Sequence, residues 1–328
     1  MCLAPRDFSP LSVAETPSTL KEFAAERIEA QKEQYVKRRR PQKVSAEWDH
    51  LPSDYKYWIY PAACLVAWYL GKSEFMAHLM AGTLLRYAIN LAFTALSKLD
   101  CVAEPRRIHK ENPPANQLER ELDWDGPIIL SPVAFLLVDA LTPWFSTIAP
   151  FSAKGVGVMF AAHYGIVEVR FALACPSILA TRTDRPSHAS APPQPLYYVF
   201  HRFLHNPKVY KASHQHHHTS IITEAISGTS HPLLESVGYL ANFSFPFLVP
   251  AWCGCFSFPL VYLYFTFFDV LNCIGHCNFE LVPRWAQKGP LKWLLYTGAY
   301  HSLHHSKFKF NFVLFCPMWD YMCGTVRA

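Results

Sequence analysis

The sequence predicts an all-α fold, a multi-pass bundle of membrane helices with a helical cap on the cytosolic side. Three observations support this prediction. Hydrophobic residues make up 51% of the chain and charged residues only 17%, against roughly 25% charged residues in soluble chains. Several apolar stretches approach the length of a membrane helix. Three short histidine clusters at helical spacing lie between His201 and His305, and we place them in the cap.

The first fifty residues are polar. Residues 1–16 are expected to be disordered, and the composition of Leu20–Arg40 predicts a charged helix. That helix ends in the basic run Lys37–Arg40. Such a run is typical of a solvated helix end or of a segment that faces lipid headgroups on the cytosolic side. We therefore treat residues 1–50 as a separate, partly disordered N-terminal segment.

Residues 51–168 contain four apolar stretches and one polar loop. The stretches lie at about 55–71, 75–97, 127–150 and 155–168. The second stretch is long enough to cross a bilayer of ~30 Å, which takes about 20 residues. The polar loop 99–126 separates the second stretch from the third. We predict that residues 51–168 form membrane helices joined by this loop.

A longer apolar region, 233–274, separates the second histidine cluster from the third. It is broken by Pro246, Pro250 and Pro259. Because it is too long for one crossing, we predict a helical hairpin. Two crossings return the chain to the same side of the membrane, so the clusters that flank the hairpin can meet. Lysines near the clusters predict that this side is cytosolic.

The histidine clusters have the spacing of residues that share one face of a helix. Eleven of the sixteen histidines lie from His201 onward. The first cluster has i, i+4 spacing and the other two have i, i+3, i+4 spacing, so each can direct two or three imidazoles to one point. Metal sites between helices are built in this way. The eight residues are His201 and His205, then His214, His217 and His218, then His301, His304 and His305.

Eight imidazoles without thiolates favour two metal ions over one. A structural zinc ion closes its shell with four ligands, so a larger set predicts a dinuclear site with open positions. Iron with oxygen can attack an unactivated C–H bond or a fatty carbonyl, which suits an apolar substrate. The metal centre itself would be the catalytic group, and no separate acid or base is assigned. Lys and Arg are mostly dispersed at a net charge of +5, which argues against a nucleic acid partner.

The motifs HxxxH, HxxHH and HxxHH, followed by Trp319-Asp320 and Gly324-Thr325, resemble the membrane-bound fatty acid hydroxylase superfamily. That superfamily includes sterol desaturases, C4-methyl sterol oxidases and sphingoid-base hydroxylases. Further segments resemble one branch, the plant wax-biosynthesis aldehyde decarbonylases of the eceriferum or glossy type. These segments are Glu119–Asp125, Thr223-Glu224, His231-Pro232, Gly275–Pro283 and Tyr300–His305. The resemblance covers roughly residues 75–326 and implies a catalytic domain of the fatty acid hydroxylase type at 195–326.

The resemblance implies a ligand set for two iron ions, with O2 as co-substrate. Asn272 stands where related hydroxylases carry another histidine, and the amide would bind the metal through water or orient a neighbour. His216 points away from the face that its cluster shares, so it lies outside the set. The implied ligands are His201, His205, His214, His217, His218, His276, His301, His304 and His305, with Asn272 as a further candidate.

Four residues are candidates for contacts with the ligands. Glu224, Glu280 and Asp320 are expected either to accept the distal N–H of a ligating imidazole or to be ordinary helix-end and surface carboxylates. His231 precedes a proline, so it is either a helix-start residue or a neighbour of the ligands.

The resemblance implies conversion of very-long-chain aldehydes to alkanes in wax or hydrocarbon biosynthesis. The alternatives are a sterol, fatty-acid or sphingoid-base hydroxylase or desaturase, and a non-catalytic membrane subunit that supports a homologous partner. The enzyme would be a multi-pass protein of the endoplasmic reticulum membrane with its metal site facing the cytosol. It would take a long-chain lipid from the bilayer and electrons from a donor such as cytochrome b5.

Two features depart from the plant decarbonylases. Those enzymes continue into a second, nucleotide-fold-like domain, whereas this chain stops at Ala328, which favours the hydroxylase and desaturase alternatives. In the family, His163–Glu168 would join Pro195–Phe200 in one helix. Here the Pro- and Ser-rich segment 169–194 intervenes, and no membrane helix has that composition. We predict that it is a loop insertion or a translated intron.

Overall fold

Helices form every regular element in the part of the chain that the computed structural model describes. These residues are 55–111, 113, 117–122, 126–141, 148–169 and 195–327. They belong to one compact unit, Ser45–Ala328. The predicted all-α class is confirmed for them. The predictions for residues 1–50 and for the body of the insertion, 170–194, concern segments outside the described residues.

The described residues before the insertion form six α-helices. They are α1 (Tyr55–Tyr69), α2 (Ser73–Ser97), α3 (Asp100–Ala103), α4 (Gln117–Leu122), α5 (Gly126–Leu141) and α6 (Ala153–Ala162). A 3-10 turn, Glu104–Arg106, follows α3, and a π-helical turn, His163–Val169, follows α6. The first two predicted apolar stretches correspond to α1 and α2. The fourth stretch corresponds to α6 followed by the π-helical turn.

Residues after the insertion form seven α-helices and three 3-10 turns. The helices are α7 (Leu196–Leu204), α8 (Pro207–Ser213), α9 (Leu233–Phe243), α10 (Phe245–Trp252), α11 (Phe258–His276), α12 (Gly298–Lys307) and α13 (Met318–Met322). The 3-10 turns are His217–Thr219, Ala225–Thr229 and Gly289–Trp293. Two of the three prolines predicted to break region 233–274 lie at helix starts, whereas Pro250 lies inside α10 and does not break it. Pro246 and Pro259 lie in the first turns of α10 and α11, where a missing N–H costs no hydrogen bond.

Two of the described helices are long and apolar enough to cross a membrane. They are Ser73–Ser97 and Phe258–His276, and they pack against each other. Gly82 lets them approach closely, because a Cβ atom there would lie 2.9 Å from the ring of Phe265. The other apolar helices in the described ranges are shorter. The multi-pass bundle and the cytosolic cap therefore remain predictions.

A buried ion pair joins α2 to α11. Arg86 donates from Nε to Asp269 Oδ2 at 2.8 Å and from Nη2 to Asp269 Oδ1 at 3.0 Å. The guanidinium also lies over the ring of Phe265, 4.9 Å from its centroid. One turn further along, Cys273 Sγ lies 3.4 Å from Asn90 Oδ1. These contacts fix the register of α11, the helix that carries Asn272 and His276.

Breaking this ion pair should destabilise the protein strongly. Asp269→Ala leaves the Arg86 guanidinium buried without its counter-charge, which costs about 3–5 kcal/mol. The double variant Arg86→Met with Asp269→Leu fills the same space without charge and should recover most of that loss. Thermal unfolding in detergent measures both. Equal unfolding temperatures for the single and double variants would contradict this account.

Candidate metal centre

Nine histidines converge into two groups. Within each group, one ring nitrogen from every residue lies within 4.8 Å of the others. All nine are buried except His205, which is half-buried. The five-histidine group consists of His201, His205, His214, His218 and His304. The four-histidine group consists of His217, His276, His301 and His305. The structure thus brings together all nine histidines of the predicted ligand set.

The helical spacing predicted that each sequence cluster converges on one point, and this holds for His201 and His205 of the first cluster but not for the second and third clusters. The second cluster leaves the α-helix, because α8 ends at Ser213 and the next helical segment is the 3-10 turn that begins at His217. The neighbours His217 and His218 consequently enter different groups. On α12, His304 joins the five-histidine group and His305 the other, since adjacent residues on a helix point in different directions.

The five-histidine group is a closed ring of Nε2 atoms. The Nε2–Nε2 distances are 3.0 Å from His201 to His214 and 3.1 Å from His214 to His218. They continue at 3.2 Å from His218 to His205, 3.2 Å from His205 to His304 and 3.1 Å from His304 back to His201. Two imidazole nitrogens that bind one ion at about 2.1 Å, with a right angle between them, are separated by about 3.0 Å.

The hydrogen bonds of two histidines in the ring leave their Nε2 lone pairs facing each other. His201 Nδ1 donates to the Phe312 carbonyl at 2.7 Å, and His304 Nδ1 donates to the Phe310 carbonyl at 2.6 Å. A carbonyl oxygen only accepts, so both Nε2 atoms carry lone pairs when the imidazoles are neutral. The two Nε2 atoms are 3.1 Å apart, and their lone pairs repel each other. A metal ion between them turns the repulsion into coordination, so the residues fit a metal.

The loop after α12 supplies these carbonyl groups. Phe308 and Asn311 both adopt left-handed backbone conformations, with φ of 65° and 61°. Such conformations are costly outside glycine and occur where surrounding contacts impose them. The Asn311 side chain donates to the Tyr300 carbonyl at 2.9 Å, which ties the loop to α12. The bends on either side of Phe310 turn its carbonyl towards His304.

The four-histidine group follows the same design. His276 Nδ1 donates to the Asn272 carbonyl at 2.9 Å, and His305 Nδ1 donates to the Ser220 carbonyl at 3.0 Å. His301 Nε2 lies 3.0 Å from His276 Nε2 and 3.2 Å from His305 Nε2. The His217 ring lies 4.5 Å from that of His305. Four imidazoles leave room for a further ligand on an ion such as iron.

Asn272 lies beside this group. A Cβ atom on Gly228 would lie 2.7 Å from His276 Nδ1, so only glycine fits between its 3-10 turn and α11. Among the described residues, the Asn272 Nδ2 atom has no hydrogen-bond partner. A buried amide without a partner is costly. The predicted role of Asn272 as a ligand through water, or as a group that orients a neighbour, stays a prediction.

Burial favours the neutral form of four imidazoles in the five-histidine group. It lowers the pKa of His201, His205 and His218 well below the usual value, and the neighbouring imidazoles lower the pKa further. Burial also lowers the pKa of His304 to about 3. A neutral imidazole is the form that binds a metal ion. At neutral pH the metal therefore meets almost no competition from protons at these residues.

Glu235 is a carboxylate that the sequence did not single out. It accepts a hydrogen bond from His214 Nδ1 at 2.6 Å and lies 3.0 Å from His231 Nδ1. The His231 ring in turn stacks on that of His217 at 4.3 Å. Glu235 thus connects the two groups, and His231 is the predicted neighbour of the ligands.

The three carboxylates predicted to accept from imidazoles have other partners. Glu224 caps the 3-10 turn Ala225–Thr229. Glu280 accepts from the backbone N–H groups of Val282 and Ala299. Asp320 accepts from the backbone N–H of Phe312 at 3.0 Å. In the described structure, backbone carbonyls replace them as imidazole acceptors because the histidines pack directly against loops.

Two of these carboxylates act on the site indirectly, by holding backbone segments that position the histidines. Ala299 lies in the first turn of α12, so Glu280 holds the start of the helix that carries three histidines. Asp320 also accepts from Val313 N–H and from the Tyr300 hydroxyl at 2.5 Å, which holds the loop that offers the carbonyls. Glu121, inside a segment noted only for its resemblance, accepts from Ser220 Oγ at 2.5 Å and Ser227 Oγ at 2.7 Å.

Residues 192–325 match the family model described as fatty acid hydroxylase. The chain carries a fatty acid hydroxylase domain. All nine histidines of the two groups lie within the matched residues. The resemblance predicted from the histidine motifs is confirmed.

Plant proteins are similar to most of the chain. It is 34% identical over 249 residues to protein CER1-like 2 of Arabidopsis thaliana. The aligned residues make up 75% of this chain and 36% of that protein. It is 35% identical over 250 residues to the very-long-chain aldehyde decarbonylase GL1-5 of Oryza sativa subsp. indica, with 76% and 36% covered. The matched part spans little more than a third of these relatives. No solved structure matches the chain.

An apolar cavity reaches the four-histidine group of the fatty acid hydroxylase domain. Its empty volume is about 750 Å³, part of which is open to solvent. His217, His276 and His301 contribute to its lining. Among the described residues that line it, none belongs to the five-histidine group. The two groups therefore differ in their relation to this cavity, because only the four-histidine group contributes to its lining.

Removing one histidine from the ring should remove metal from the domain. We expect the purified protein to hold about two ions per chain and His304→Ala to lose at least one of them, since a ligand is gone. Metal analysis of detergent-purified protein measures this. His216→Ala is the matched control, because His216 lies outside both groups and contacts Ser230 Oγ at 3.1 Å. Equal metal content in both variants would contradict the assignment.

Removing Glu235 should weaken metal binding without removing a ligand. Glu235→Ala leaves His214 without its acceptor, and loss of such a partner typically costs about 10- to 100-fold in metal affinity. Titration against a chelator measures the change. The control is Glu224→Ala, which removes a buried carboxylate that caps a turn and should leave the affinity within a few-fold of wild type. A larger loss of metal affinity in Glu224→Ala than in Glu235→Ala would contradict the role assigned to Glu235.

Proposed function

We propose that the chain is a membrane-bound di-iron oxidoreductase that uses O2 to modify a long-chain lipid. The observation that carries this proposal is the apolar cavity that ends at the four-histidine group. The two iron ions would be held by the two histidine groups and would supply oxygen activation. The protein's own contribution is to orient the imidazoles, exclude water and hold the lipid beside the group that faces the cavity.

The donor set supports a redox metal. Both candidate groups consist of imidazoles alone, a set that suits iron as well as zinc. The sequence has no HExxH motif, in which a glutamate serves as the general base of a zinc hydrolase. Oxygen chemistry is also the kind that an unactivated hydrocarbon requires. A di-iron oxygenase is therefore favoured over a metal-dependent hydrolase.

The preferred reaction is conversion of a very-long-chain aldehyde to an alkane in wax or hydrocarbon biosynthesis. Support comes from relatives whose names describe them as very-long-chain aldehyde decarbonylases. In that reaction the bond between the carbonyl carbon and the chain breaks, and the alkane is one carbon shorter than the aldehyde. Hydroxylation or desaturation of a fatty chain, sphingoid base or sterol is the second candidate, favoured by the match to the fatty acid hydroxylase model.

We also propose a place and an electron donor for the reaction. The enzyme would lie in the endoplasmic reticulum membrane with the metal site facing the cytosol. Lys208, Lys211, Lys307 and Lys309 are exposed near the histidines in sequence, which suits a cytosolic side and an acidic donor such as cytochrome b5. A homologous partner subunit is an additional candidate partner.

Product analysis tests the reaction. We expect cells that make long-chain aldehydes and this protein to accumulate alkanes one carbon shorter, whereas the His301→Ala variant, which lacks a histidine at the cavity, should make less than about a hundredth as much. His216→Ala serves as the control and should remain active. Hydroxylated or desaturated lipids would favour the second candidate. Unchanged lipids with full metal content would favour a non-catalytic subunit.

A further inference from the structure

Four aromatic side chains form a cluster at the cavity wall on the membrane-helix side. They are Phe135 of α5, Phe247 of α10, and Tyr264 and Phe265 of α11, and all four line the cavity. We name this cluster the aromatic plug. Phe247 is its centre, since its ring centroid lies 4.8 Å from that of Phe135, 4.9 Å from that of Tyr264 and 5.7 Å from that of Phe265.

The plug is tightly packed. Phe247 is 2% exposed and Tyr264 is 1% exposed. The rings of Phe135 and Tyr264 meet that of Phe247 edge to face, at interplanar angles of 81° and 78°. Edge-to-face pairs are favourable aromatic contacts, and close-packed interiors yield little to added volume. The plug is therefore a firm boundary.

Helix α11 runs from the aromatic plug to the four-histidine group, so its rise per residue gives the distance between them. Phe265 and His276 both lie on α11, eleven residues apart, and both line the cavity. At 1.5 Å per residue the separation along the helix is about 17 Å. Phe268 and Asn272 line the cavity between them. The space thus runs along about three helical turns, from polar ligands at one end to aromatic rings at the other.

The lining suits a hydrocarbon chain. Between its ends the cavity is bordered mainly by aromatic and aliphatic side chains, such as Phe243, Leu240 and Phe268. The charged residue in the lining, Arg86, lies over Phe265 of the plug, and Asp269 neutralises its charge through contacts at 2.8 and 3.0 Å. An apolar wall with polar groups at one end orients an amphipathic ligand with its polar end at the polar groups.

We propose that the cavity binds one unbranched hydrocarbon chain with its reactive end at the four-histidine group, and that Phe247 sets the longest chain the cavity accepts. This proposal rests on the proposed function, which it deepens by naming the ligand class and a specificity-determining residue. A straight chain longer than the distance of about 17 Å from the histidines to the plug meets the edge of Phe247. A very-long-chain aldehyde therefore does not fit in extended form, and a cut-off at this length favours the shorter fatty chains of the second candidate. Removing that ring opens space beyond it between α5, α10 and α11.

The test measures binding, so it does not require turnover. The probes are saturated straight-chain primary alcohols of increasing length, added to detergent-solubilised, metal-loaded protein. The readout is the shift in melting temperature, since a ligand that binds only the folded state stabilises it. For the wild type we expect stabilisation that grows with chain length and then falls at a cut-off. In Phe247→Ala the cut-off should move to longer alcohols by at least one member of the series.

Two further variants keep the test decisive. Phe256→Ala is the matched control, because Phe256 is also 2% exposed and belongs to the same hydrophobic core but does not line the cavity. Its cut-off should equal that of the wild type. Phe247→Leu removes less side-chain volume than Phe247→Ala and replaces it in the test if Phe247→Ala fails to fold. A folded Phe247 variant with an unchanged cut-off, a wild type without one, or stronger stabilisation by a sterol would overturn the proposal.

The outcome separates this proposal from the proposed function. A length cut-off that moves in Phe247→Ala, together with no oxidised product from any lipid, would leave the binding site standing and reject the oxidoreductase. Alkane or hydroxylated products whose length distribution is the same in wild type and Phe247→Ala would support the enzyme and reject the role of Phe247.

Discussion

The metal centre depends on a repulsion that a bound cation would relieve. The Nε2 lone pair of His201 faces those of His214 and His304, at N–N distances of 3.0 and 3.1 Å. Burial prevents the protein from relieving the contact between His201 and His304 by protonation, because it lowers the pKa of both rings. The surrounding elements must therefore hold the rings in place. Packing of α7, α12 and the end of α11 supplies that force, and the ion pair of Arg86 with Asp269 fixes α11 in register.

The orientation of the rings comes mainly from backbone. Carbonyl groups of Ser220, Asn272, Phe310 and Phe312 each accept from one imidazole. A carbonyl fixes the tautomer without adding a charge to a buried site, which a carboxylate would do at a cost. Glu235 is the charged exception, and it is shared by two imidazoles. Asp320 holds the backbone at Phe312 and Val313, and Glu280 holds the start of α12.

The sequence predicted which histidines converge but not how they are arranged. Helical spacing and the resemblance identified all nine histidines, because spacing within a cluster is a local property. The division into five and four depends on a 3-10 turn at His217 that spacing does not reveal. Glu235 was missed because its partner His214 lies 21 residues away in sequence. Glu121 and Ser220 are 99 residues apart, so their contact required the fold.

The adjacent residues His217 and His218 belong to different groups, which gives the centre a mechanical property. One peptide bond joins the two coordination shells, so a shift of one shell moves the other. An ion that binds first and orders this dipeptide removes conformational freedom that the second ion would otherwise have to remove. Loading of the two sites should therefore be cooperative, with singly occupied protein scarce at every metal concentration.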